Sequence, residues 1–123
     1  MISTQNFEKL KKMPKENASI DYRRTFSPQE FEKLKQGLTA SSMDEKWNAY
    51  FHGGSFYMFR SWTGSCIYDF QLKYTEDGYR VENTRVNRNQ DQYKATDNDY
   101  DVLLLDSLIS NLILGESKPF PRR

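Results

Sequence analysis

From Lys46 to Val86 apolar and polar residues largely alternate, and the alternation is interrupted at Gly53-Gly54, Thr63-Gly64 and Glu76-Asp77-Gly78. A period of two is the repeat of a half-buried strand, and Gly-Gly or Asp-Gly between such runs signals a hairpin turn. The pattern predicts four consecutive antiparallel strands: Lys46 to His52, Ser55 to Trp62, Ser65 to Tyr74 and Tyr79 to Val86. In the third, Cys66, Tyr68, Phe70, Leu72 and Tyr74 share one face, while Asp69, Gln71 and Lys73 share the other, so one sheet face is polar. Hydrophobic pattern alone does not choose whether that face meets solvent or a second copy in a homo-oligomer.

Helical signals flank this run. Ser27, Pro28 and Glu30 form a capping box with proline at the first helical position, Phe31, Leu34 and Leu38 make the buried stripe, and Gly37 marks the exit. Farther on, Thr96 caps with Asp99 three residues later, and Val102, Leu105, Leu108, Ile109, Leu112 and Ile113 give a broad apolar face ending at Gly115. A shorter helix is predicted from Gln5 to Met13, where Phe7 and Leu10 share a face, and residues 87–96 read as loop. FEKLK recurs at Phe7 to Lys11 and Phe31 to Lys35, but it is too common a run of helix formers to mark a duplication.

The expected fold class is α+β: a four-stranded antiparallel β-meander packed in two layers against N-terminal and C-terminal helices. With 123 residues the chain fills one core and no second, so 1–123 reads as a single domain, with a weakly patterned segment over 1–24 and the core over 25–115. Aromatic residues are 15% of the chain against 37% hydrophobic in all, so rings supply much of the core, which favours sheet over bundle.

Eighteen Lys and Arg against seventeen Asp and Glu leave a net charge of +1, too weak a field for duplex nucleic acid, and any basic site must be local. A lone Cys66 excludes an internal disulfide, and with His52 the only histidine it excludes the usual Cys/His zinc cage, so no metal is expected. No apolar stretch is long enough to span a bilayer and none near the start reads as a signal peptide, so a soluble cytoplasmic protein is expected.

Catalytic signatures are sparse. The six glycines never take the spacing of a phosphate-binding loop. Asp97-Asn98-Asp99-Tyr100-Asp101 opens like a calcium loop, yet Val102 stands where the turn needs Gly and Leu108 where a bidentate Glu belongs, so the acids read as helix caps. His52 reads as a solvated hairpin residue rather than a general base, Cys66 as buried and inert rather than nucleophilic, and Asp44-Glu45 and Glu76-Asp77 as turn carboxylates. No catalytic residue is assigned.

What remains is a set of cations and rings: Lys46-Trp47, Arg60 to Gly64 with Trp62, Arg85, Arg88 and Tyr93. An arginine fork meets phosphate oxygens two at a time, and Trp or Tyr offers a face on which a base stacks, worth about 1–3 kcal/mol per base. The bland alternative is that Trp47 and Trp62 are core rings and the arginines are surface charges paired with acids.

The strings FSPQEFEKLKQGL, SMDEKWNAYF, FRSWTGSCIY, VNRNQDQY and TDNDYDVLLLDSLI, in this order over residues 26–114, resemble a small bacterial and phage domain family. Such domains stand alone or beside ADP-ribose-handling modules of the macro-domain and ADP-ribosylglycohydrolase types. The resemblance falls on Lys46, Trp47, Arg60 to Gly64, Asn87, Arg88, Gln92 and Tyr93, most of them already singled out, and with them the expected function is that of a non-catalytic domain binding an ADP-ribose-like or cyclic-nucleotide molecule. On this expectation Arg60, Arg85 and Arg88 meet phosphates, Trp47, Trp62 or Tyr93 stacks the base, Lys46 belongs to the same ligand-binding set, and no cofactor is needed. Such a domain could sequester a defence signal on behalf of a phage. The alternatives are a hydrolase or transferase acting on ADP-ribosyl groups, with Asp44, Glu45 or His52 as acid or base, and a protein-interaction module using exposed aromatics.

Overall fold

The computed structural model of the chain describes residues 12–41 and 45–121. The elements in order are β1 (Asn17–Ser19), β2 (Thr25–Phe26), α1 (Pro28–Gln36), β3 (Trp47–His52), β4 (Ser55–Arg60), β5 (Cys66–Thr75), β6 (Gly78–Asn87) and α2 (Asn98–Leu108), which runs on into a π-helical turn, Ile109–Ile113. The sheet has six strands in the order β1-β6-β5-β4-β3, with β2 also on β6, and every pairing is antiparallel.

This corrects the expected four-stranded meander between terminal helices. β6 closes the hairpin series with one backbone edge still unpaired, and an exposed edge invites pairing. The segment read as weakly patterned supplies the partner: Asn17 to Ser19 pair with Asn87, Val86 and Arg85, and Thr25 and Phe26 pair with Arg80 and Tyr79. Strands of three and two residues are too short to show alternation, which is why pattern reading misses them. Of the helix expected over 5–13, residues up to 11 lie outside the described residues, and Lys12 and Met13 are not helical.

Both helices join one core with a single sheet face: Leu34 of α1, Leu105 and Leu108 of α2 and Ile109 of the π turn cluster with Phe26, Phe56, Met58, Tyr68 and Phe70. Each such side chain buried contributes about 1.5–3 kcal/mol. Phe31 stacks on Tyr79 at 3.8 Å and meets Phe51 edge-on at 5.3 Å. The capping box forms, with Ser27 Oγ accepting from Glu30 N at 3.1 Å and Glu30 Oε1 accepting from Ser27 N at 2.9 Å. α2 is capped by Asp97 rather than the expected Thr96, since Asp97 Oδ1 accepts from Tyr100 N at 3.1 Å.

Two register shifts change which side chains share a face. Met58 pairs with Tyr68 while its neighbour Phe59 pairs with Cys66, and because successive strand residues face opposite ways, Cys66 and Tyr68 do as well. Cys66 therefore leaves the face expected for it. The second shift, between Asp69 and Gln71, is absorbed in β6, where Asn83 takes a left-handed φ of +54°. Across the core, Tyr22 Oη and Arg24 Nη1 both donate to Asp106 Oδ1 at 2.8 Å, tying the segment between β1 and β2 to α2. Among the described residues no helix is long and apolar enough to cross a membrane.

Candidate functional site

Trp47 opens β3 and Arg60 closes β4, and the hairpin register sets them opposite each other on the core side of the sheet. The Arg60 guanidinium carbon lies 4.5 Å from the Trp47 ring centroid and 5.9 Å from that of Tyr93. The β4–β5 turn folds over this pair: Ser61 N donates to Lys46 O at 2.9 Å, Ser61 Oγ donates to Glu45 O at 2.6 Å, and Gly64 N donates to Arg60 O at 2.8 Å. Lys46 is thereby brought beside Arg60, and Trp62 stands at the turn with 68% of its surface exposed.

Two hollows share the Lys46 and Arg60 side chains. The smaller, about 370 Å³, is walled by Lys46, Arg60, Trp62, Thr63 and Gln92. The larger, about 570 Å³, runs from Lys46 and Arg60 past Trp47 to Leu104, Leu108 and Leu112 of the C-terminal helix. Among the described residues neither cation has a carboxylate partner. Other concavities differ in this respect. The one between residues 19–25 and 80–84 holds Arg24 and Arg80, committed to Asp106 and Glu82, and the one on the opposite sheet face holds Arg85, committed to Asp69.

Of the seven residues singled out from sequence, Lys46, Trp47, Arg60, Trp62 and Tyr93 come together here. Trp47 and Tyr93 are only 7% and 6% exposed, so they support Arg60, and Trp62 is the exposed ring of the three. Arg85 stands apart on the polar sheet face, its fork on Asp69 with Nε donating to Oδ1 at 2.9 Å and Nη2 paired with Oδ2. Arg88 is turned inward: Nη1 donates to Ala95 O at 2.9 Å, Nη2 donates to Asn98 Oδ1 at 2.5 Å, and Nη2 lies 2.7 Å from Asp101 Oδ2. With the fork aimed at Ala95 and Asn98, its contact with Asp101 is attraction between charges rather than a hydrogen bond.

Asp101, fully buried, is the residue that sequence reading missed as an anchor. Tyr68 Oη and Tyr93 Oη each donate to its Oδ1 at 2.6 Å. Burial, together with these bonds, pushes both phenols above their ordinary pKa, so they stay protonated. Nothing but the position of Asp101 within an otherwise capping acidic run could have marked it. Asn87, also fully buried, shapes the loop beside the hollow: Nδ2 donates to Cys66 O and to Gln92 Oε1, both at 2.8 Å, and Oδ1 accepts from Asn89 N at 2.8 Å.

The acid and base candidates disperse. Glu45 lines the larger hollow and accepts from Ser41 N at 2.6 Å, His52 pairs with Ser55 at the far hairpin, and Asp44 lies outside the described residues. Burial is the main cause raising the Cys66 thiol pKa, with Asp69 adding to it, which disfavours the nucleophilic thiolate. Among the described residues no three His, Cys, Asp or Glu side chains group to hold a metal. Compared with known protein families, with curated proteins and with solved structures, the chain matches none of them.

Proposed function

We propose that this chain is a non-catalytic binding domain for a phosphorylated nucleoside-type molecule of the ADP-ribose or cyclic-nucleotide class. Lys46 and Arg60 hold the phosphate, Trp62 stacks the base, and Thr63 and Gln92 offer hydrogen bonds to its edge or to a sugar. One observation carries the reading: Lys46 and Arg60, without acid partners among the described residues, wall a hollow that also presents a 68% exposed indole. A cation left without a carboxylate keeps its donors for an incoming anion, and hydrogen bonds to charged groups contribute about 1.5–3 kcal/mol. The resemblance of the same strings to domains found beside ADP-ribose-handling modules points the same way, and sequestration of a nucleotide signal is the role such binding would serve.

A hydrolase reading rests on Glu45, a carboxylate on the rim of the adjoining hollow. Thermal-shift screening against AMP, ADP-ribose and cyclic nucleotides tests binding, since a ligand at 100 times its dissociation constant stabilises the fold by about 2.7 kcal/mol. Recovery of the ligand unchanged after denaturation supports binding alone, and a chemically altered product would replace it with the hydrolase. Silence across the whole panel would remove the nucleotide reading.

A further inference from the structure

The two hollows that share Lys46 and Arg60 differ in chemistry. The smaller carries the indole, a hydroxyl and an amide, and the larger, besides its charged residues, is lined by Trp47, Tyr100, Phe120 and the leucines Leu38, Leu104, Leu108 and Leu112. Its charged side chains, Glu45, Lys46 and Arg60, gather where the chain enters and leaves the β3–β4 hairpin. A ribose or the polar edge of a second base placed among the leucines would lose water without gaining partners, which is unfavourable. A hydrocarbon chain loses nothing there.

The apolar wall is also a built feature. Leu104, Leu108 and Leu112 are spaced four apart and so line one stripe of the helical segment, the last of them on its π turn. The C-terminal tail is strapped back alongside: Asn111 Nδ2 donates to Lys118 O and Lys118 N donates to Asn111 Oδ1, both at 2.7 Å, and Ser107 Oγ donates to Pro119 O at 3.3 Å. This brings Phe120 to the hollow while leaving it 49% exposed, with Leu112 at 42%. Two large apolar side chains are thus held half in water beside a cation pair, an arrangement that gains from an apolar occupant.

We infer that the ligand carries a hydrocarbon arm on its phosphate, seated in the Leu104–Leu108–Leu112–Phe120 hollow, with the anion at Lys46 and Arg60 and the base on Trp62. The inference rests on the nucleotide reading above for the anion seat and adds the class of ester: a phosphodiester of a nucleoside with an apolar alcohol, or the related acyl derivative. The arm and the base would leave the phosphate into the two separate hollows that share this pair of cations.

Isothermal titration of the full chain with AMP, AMP methyl ester, AMP hexyl ester and hexyl phosphate tests this. Each methylene buried is expected to tighten binding about twofold to fourfold, so the hexyl diester should bind at least about thirtyfold more tightly than the methyl diester. In Leu112→Glu and in Phe120→Ala, both at exposed positions, that ratio should collapse toward unity. Equal affinities for the methyl and hexyl diesters, with AMP still bound, overturn the arm and leave the nucleotide reading standing. Binding of hexyl phosphate as tight as that of the hexyl diester, with AMP unbound, overturns the nucleoside part and keeps the arm. Failure of all four probes to bind overturns both.

Discussion

Arg60 and Trp47 face each other across the β3–β4 hairpin with the guanidinium carbon 4.5 Å from the indole centroid. A cation over a ring gains about 0.5–2 kcal/mol without occupying the N–H donors, whereas an ion pair would engage them. Arg85 illustrates the alternative, with Nε and Nη2 both engaged by Asp69. The ring pairing keeps Arg60 both positioned and available.

Asp101 and Arg88 should behave as one unit. Arg88 is 15% exposed and Asp101 fully buried, so removing either charge leaves the other without compensation. Asp101→Asn and Arg88→Met are each expected to lower stability by about 3–5 kcal/mol, and the double variant by clearly less than the sum. Urea denaturation measures all three, and strict additivity would show that the two groups are not coupled.

Gly37 should be far less tolerant than Gly54. Both have positive φ, +70° and +82°, so each pays for the left-handed backbone on substitution by Ala, about 1–2 kcal/mol. A Cβ at Gly37 would also collide with Ala49 O, in the bridge through which Leu38 and Ala49 exchange hydrogen bonds, whereas one at Gly54 would meet nothing within 4 Å. Thermal melts should rank Gly37→Ala well below Gly54→Ala, and equal losses would refute the close approach.

Acid should loosen the tie between α2 and the edge of the sheet. Burial is the largest single influence on Asp106 and pushes its pKa up, but hydrogen bonds from Tyr22, Arg24 and Lys118 more than offset it and hold the carboxyl below its ordinary value. A depressed folded pKa contributes stability that is present above the unfolded value of about 3.9 and is lost as pH falls through the folded one. Melting temperatures between pH 6 and pH 2 should therefore fall less steeply in Asp106→Asn than in the native chain. Identical slopes would show that Asp106 is not protonated differently on unfolding.

The hairpins and the capping box were legible because their determinants are local: Gly53-Gly54 sets one turn, and Ser27 with Glu30 sets one helix start. β1 and β2 were not, because what makes them strands is the unpaired edge of β6 some sixty residues later, and their own five residues carry no period. The face of Cys66 was misread because a register shift reverses the alternation without leaving a glycine to mark it. In the site, Lys46, Arg60 and Trp62 were readable as types, but that Arg85 lies on the other sheet face depends on β6 pairing with β5 through a bulge at Asn83. The apolar hollow was partly visible in Leu108 and Leu112. The return of the tail that adds Phe120 is made by Asn111 and Ser107 bonds that no periodicity encodes.

The most direct test is calorimetric titration of ADP-ribose into the native chain and into Arg60→Gln, with a melting curve of each. The account predicts measurable binding to the native chain, a loss of about tenfold or more in the variant from a forfeited charge-assisted hydrogen bond, and a fall in stability of no more than about 0.5–2 kcal/mol from the lost ring contact. Binding that is undiminished in Arg60→Gln, or no heat of binding with the native chain, would contradict it.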